Sequence, residues 1–233
     1  MNAQIEAENC ILRSRAISVA AGSPLHPLRE IWARLARGAC RIHDAFSDAE
    51  TSYLVLRVVP DEATRVRPRQ LQILEHVLCG IGQKLLAIDL NLSCSTIATV
   101  AKHGLLTFGI DCKPSQVPLS LVLVAQASRD VGKRLVAGVA DFEEEGHEYL
   151  VVSIRRPDCH LDALLSPAEV AVVRARIEGH SHRIIADQRQ TSMRTVANQL
   201  ASASRRLGTS GRLAMISHLV KADTDLAQPA LAS

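Results

Sequence analysis

At 233 residues, with 47% apolar and 22% charged side chains, the chain has room for one large or two small globular domains. Its longest candidate for an apolar span, around Leu121 to Ala127, falls far short of the roughly 20 residues a membrane span needs, which argues against a membrane partner. The net charge of +3 is too small to point to nucleic acid by itself, but residues 166 to 221 hold nine basic and three acidic side chains, so the C-terminal third is the basic part.

The opening MNAQIEAENCILRSR has two glutamates before its first basic residue and lacks a long apolar core, so it does not read as a secretion signal. A cytoplasmic chain is expected, with residues 1–27 as a flexible segment. HPLREIWARLARG then gives an amphipathic helix in which Ile31, Trp32 and Leu35 share a face, making Trp32 a core or docking residue. RIHDAF and YLVLRVVP (from Tyr53) follow as two strand candidates separated by polar turn residues, a β-hairpin.

RPRQLQILEHVLCGIGQKLLAIDLNLSCSTIATV carries a helix, a short helix and the start of a third. That third helix, SCSTIATVAKHGLLTFG, contains Gly104, at a cost of about 1 kcal/mol relative to alanine, and ends in the apolar pair Leu105 and Leu106. After Ile110 comes DCKPSQVPLS, and then VADFEEE and YLVVSIRRP (from Tyr149) supply a second hairpin.

Sliding the chain against itself by 99 residues aligns Pro68 with Pro167, Gly80 with Gly179, Ala87 with Ala186, and Ser93 with Ser192. Thr96 with Thr195, Ala98 with Ala197, and Gly109 with Gly208 continue the match without a gap, so one module is present twice. A nearby offset pairs the segments that begin at Tyr53 and Tyr149. In the second copy Ser166, Pro167 and Glu169 give an N-cap, a first-turn proline and a capping-box acid. The helix they open should run to about Glu178 and stop at Gly179. HSHRIIADQRQ is a short second helix with Ile184 and Ile185 inward. Ser192 caps a third, in which Val196, Leu200, Ala203 and Leu207 form an apolar stripe opposite Arg194, Asn198, Ala201 and Arg205. Ser210 starts a fourth, GRLAMISHLV, and a tail from 222 to 233 is expected to be disordered.

The segments LSPAEVAVV, EGHSHRIIADQRQTSMRTVANQL and RRLGTSGRLAMI resemble the opening helix, the turn-bearing pair and the final helix of the LuxR-type helix-turn-helix DNA-binding domain. The resemblance covers about 55 residues in the second copy and about 45 in the first. The expected fold is mainly α with short β-hairpins: two tandem tetrahelical helix-turn-helix modules, each preceded by a hairpin, over 28–130 and 131–221. The resemblance implies that the third helix of the second module, 192–207, enters the major groove of double-stranded DNA. Base contacts then fall to Arg194, Thr195, Ala197, Asn198 and Ala201. Asparagine can bond an adenine edge bidentately, and alanine can touch a thymine methyl. Arg183, Ser192, Arg205, Arg206 and Arg212 are placed for phosphates, which position without specifying. In the first copy, a degenerate, wing-free version, Lys84, Thr99 and Lys102 are the candidate DNA contacts.

Two modules in one chain point to an intramolecular pseudo-dimer, with a homodimer formed through the second copy as the alternative. The competing functions are a sigma-factor-like module acting with RNA polymerase and a protein-interaction module that has left DNA. Enzyme chemistry has little to carry it. Six cysteines are scattered with no C-x-x-C pair. EEEGHE (Glu145, His147, Glu148) and RPDCHLD (Cys159, His160, Asp162) sit in expected turns without metal-site spacing, so no metal, cofactor or catalytic residue is expected.

Overall fold

A computed structural model describes residues 2–59, 65–129, 135–157 and 161–226. The first half runs α1 (Asn2–Ala20), β1 (Leu25–Pro27), α2 (Leu28–Arg37), β2 (Cys40–Ser47), β3 (Thr51–Val58), α3 (Pro68–Leu78), α4 (Gln83–Asp89), α5 (Cys94–Thr107), a 3-10 turn at Pro114–Gln116, and α6 (Leu119–Ala127). The second runs β4 (Val136–Glu144), β5 (His147–Arg155), α7 (Leu161–Leu164), α8 (Pro167–Ile177), α9 (His182–Gln188), α10 (Met193–Leu207) and α11 (Arg212–Leu226). The fold is mixed α and β, with the strands in one antiparallel sheet of order β1-β4-β5-β3-β2. No single described helix is long and apolar enough to cross a membrane.

The 99-residue repeat holds in three dimensions. The bounds of α8 and α9 are those of α3 and α4 moved by 99 residues, and α10 begins 99 residues after α5. The turns match at the level of single bonds. Asn91 and Gln190 are both left-handed, with φ of 52° and 50°. The Asn91 and Leu92 amides donate to Ile88 and Ala87 at 3.2 and 2.9 Å, and those of Gln190 and Thr191 donate to Asp187 and Ala186 at the same distances.

The two hairpins do not stand apart, as the sequence suggests, but lie side by side through β3 and β5. Tyr53 to Leu56 and Tyr149 to Val152 are buried consecutively, so both strands are covered on both faces and neither can serve as a solvent-facing edge. The segments 28–130 and 131–221 therefore share one sheet and one core. On its inner face the sheet meets α2, whose Leu28, Ile31, Trp32 and Leu35 are buried, and α6, every residue of which is buried. Trp32 is a core residue: it packs edge-on against Phe108 at 5.3 Å and donates from Nε1 to Glu75 Oε1 at 2.6 Å. Between the units, Gln126 Nε2 donates to Ser217 Oγ at 2.9 Å, and Ser217 Oγ donates to the Cys79 carbonyl at 2.7 Å.

The N-terminal segment is not the flexible 1–27 expected from sequence. Helix α1 covers the outer face of the sheet, burying Leu12, Ala16 and Ala20 in a cluster with Tyr53, Val55, Tyr149 and Val151. It is fixed to both hairpins. Arg13 pairs with Asp44 at 2.6 Å and lies over Phe46, while Arg15 pairs with Glu144 and lies over Phe142. Its apolar stripe is mostly alanine, a weak periodic signal that becomes decisive only against the aromatic sheet face. At the other end α11 starts at Arg212 rather than Ser210 and continues to Leu226, so the expected tail begins later than 222, and 227–233 lie outside the described residues.

Candidate nucleic-acid interface

The geometry of α10 follows from its sequence. Ser192, with extended backbone, caps it by accepting the Thr195 amide at 3.0 Å, and left-handed Gly208 closes it. Val196, Leu200, Ala203 and Leu207 are buried, against α8 and α9. That fixes the helix rotation, so the opposite face, Arg194, Asn198, Ala201 and Arg205, is exposed. Ser192 and Thr195 are exposed at its start, their hydroxyls 2.9 Å apart, and Ala197 is half-buried at the edge of the face. Arg183 projects from α9 with its side chain 83% exposed, 4.0 Å from Asp187.

Two of the expected phosphate contacts are otherwise engaged. Arg212 is 3% exposed, and its guanidinium donates to the Arg176 carbonyl at 3.1 Å and to that of Ile177 at 2.7 Å. It thus satisfies the carbonyls left open at the end of α8 and cannot reach a ligand. Burial, with the charge of Arg176 nearby, brings its pKa down to about 10. Arg206 is exposed, with 54% of its side chain in solvent, but bonds Glu169 Oε2 at 3.2 Å, joining α10 to the capping box of α8. There Glu169 accepts from the Ser166 amide at 2.9 Å and the Ser166 hydroxyl at 2.8 Å. Hydrogen bonds from Ser202 and Ser166, with Arg206 alongside, hold the Glu169 carboxyl down at about 2.

In the first copy Lys84, Thr99 and Lys102 are exposed, and Lys102 is 3.5 Å from Asp111. Helices α4 and α5 meet at 103° across a turn of Leu90 to Ser93. Three basic residues not singled out from sequence are also exposed: Arg189, at the turn between α9 and α10, and Arg67 and Arg69, at the start of α3. The position of Arg189 between two helices was the available signal. For Arg67 and Arg69 there was none, because what they border is made by tertiary packing.

The groups considered for metal or nucleophilic chemistry are dispersed. Glu145, His147 and Glu148 are exposed at the β4–β5 turn, where His147 lies against Arg57. Asp162 is exposed, 3.9 Å from Arg174, and Cys159 and His160 lie outside the described residues. Among the described residues no group of three or more His, Cys, Asp or Glu could hold a metal ion. Comparison with protein-family models and with curated proteins finds no match to the chain.

Proposed function

We propose that the chain is a sequence-dependent DNA-binding transcription regulator in which α10 lies in the major groove of double-stranded DNA. The observation that supports this most is the two-faced character of α10: a buried stripe locks its rotation, and the face turned outward carries Arg194, Asn198 and Arg205 with no acidic residue. The 103° crossing of α4 and α5 falls within the roughly 90–120° of helix-turn-helix pairs, and α9 and α10 have the same helix starts and turn bonds. The resemblance to the LuxR-type domain points the same way.

In this reading Asn198 reads an adenine edge, at about 1–3 kcal/mol against a wrong base, with Arg194 beside it. Thr195, Ala197 and Ala201 meet neighbouring bases. Arg183, Arg205 and the amides at Ser192 hold phosphates, and Arg189 joins them at the turn. The first unit supplies the second half of an intramolecular pseudo-dimer through Lys84, Thr99 and Lys102. A second reading has support for that unit alone. Leu85 and Ile88 on α4 are 63% and 77% exposed, an apolar surface suited to a protein such as RNA polymerase.

Selection from random and genomic DNA fragments tests the proposal, comparing the intact protein with Asn198→Ala and with Arg183→Ala plus Arg205→Ala. An enriched motif, altered by the first change and bound uniformly more weakly after the second, is expected. The salt dependence of binding should also become shallower in the double variant. No retained DNA at low salt would overturn the reading.

A further inference from the structure

Where α3 begins beside α5, the first unit has a cleft of about 540 Å³. Its floor is apolar, formed by buried Ile73 and half-buried Leu92 and Val100. Its rim is basic and polar: Arg67, Arg69, His103 and Gln70. Among the described residues no side chain pairs with either arginine. The size lies within the range of small-molecule sites, and an apolar floor with a few convergent polar groups is their usual composition.

The repeat shows what the cleft lacks. Moved by 99 residues, Arg67, Gln70 and His103 become Ser166, Glu169 and Ser202. In the second unit the Glu169 carboxylate occupies this place, accepting from Ser166 and Ser202 with Arg206 against it. In the first unit the resident carboxylate has become Gln70, the capping serine has become Arg67, and α3 has no side-chain cap. The negative charge has thus gone, along with Arg206, whose counterpart is Thr107, while Arg67, Arg69 and His103 stand around the place it would fill.

We infer that this cleft binds a small amphipathic carboxylate, whose carboxyl group takes the place that Glu169 fills in the second unit and whose apolar body lies on Ile73, Leu92 and Val100. Arg67 and Arg69 neutralise the charge, and His103 faces it from α5. The bound acid would tie the start of α3 to the flank of α5, the helix that carries Thr99 and Lys102. The site is independent of what α10 touches.

Titration calorimetry of the full chain with 2-naphthoate, and with 2-naphthamide as its neutral counterpart, tests the site. Naphthoate should bind at least about tenfold more tightly than naphthamide. That preference should disappear in Arg67→Ala plus Arg69→Ala, whose side chains are exposed and whose loss should leave the fold intact. Gln70→Glu should also abolish naphthoate binding, by supplying the carboxylate from within the chain. Equal binding of the two probes, or naphthoate binding that survives both variants, overturns the inference. It is also overturned if no naphthoate binds and the double arginine variant instead weakens binding to duplex DNA, which would assign these arginines to the DNA backbone.

Discussion

Val55 stands directly opposite Val151 where β3 pairs with β5, and each is the other's counterpart under the 96-residue offset that relates the hairpins. On either side Leu54 faces Val152 and Leu56 faces Leu150, so the register is symmetric about that pair. Two segments of one chain thus meet as the two halves of an isologous dimer interface do, with a local two-fold axis through the valines.

Both valines are fully buried at this centre, on which the two hairpins depend equally. Val55→Asp or Val151→Asp should each cost on the order of 4 kcal/mol, through a buried charge with no partner. Calorimetry should show the whole chain melting in one transition, shifted down in either variant. Separate melting of the two helical units would contradict the shared core.

Gly104 and Leu74 form a compensating pair. A Cβ on Gly104 would lie 3.0 Å from Leu74 Cδ2, whereas the second unit has Ala203 and Val173 at the corresponding places. The glycine that costs α5 helix propensity makes room for the larger leucine. Gly104→Ala should therefore destabilise by about 1–2 kcal/mol despite the better helix former. Leu74→Val in the same chain should recover part of the loss, with a coupling of about 1 kcal/mol in a denaturant double-mutant cycle.

Gly80 and Gly208 both have positive φ, 78° and 62°, but only the first is enclosed. A Cβ on Gly80 would lie 2.5 Å from the backbone nitrogen of Ala214, while one on Gly208 would meet nothing within 4 Å. Gly208→Ala should cost about 1 kcal/mol for the left-handed backbone alone. Gly80→Ala should cost clearly more, because α11 must move away from α3, and comparison of thermal midpoints separates the two.

The Glu169 carboxyl, held at about 2 against an ordinary 4.5, gives the second unit a dependence on acid. Since the unfolded chain takes up this proton first as pH falls, the stabilisation is complete above about 4.5 and is lost on going down towards 2. Glu169→Gln should lower the urea midpoint at neutral pH, and the curves of variant and parent should converge across that window. A constant difference down to the lower limit would show that the carboxylate charge is not what matters.

The local order of the helical units is legible in the sequence because its signals are short-range. Ser166 with Glu169, Ser192 before α10 and glycines at 80, 179 and 208 mark helix ends through bonds spanning three or four residues. The stripe of α10 likewise fixed which face points outward, and Asn198 and Arg205 are exposed as that stripe requires. Arg212 shows the limit. Its place at the start of a helix suggests an exposed cation, but whether its guanidinium meets solvent or the end of α8 depends on a helix 35 residues earlier.

The sequence by itself determined the repeat, as a match of the chain to itself at 99 residues, and the caps and the two faces of α10, which are encoded by neighbours within a few turns of the chain. Only the tertiary structure decided that the hairpins join into one sheet, that the alanine-rich α1 covers it, that Arg212 is buried, and that the first unit keeps an open cleft where the second holds Glu169. These depend on which apolar faces and polar groups meet across 35 to 129 residues, and such pairings follow from burial of the assembled whole.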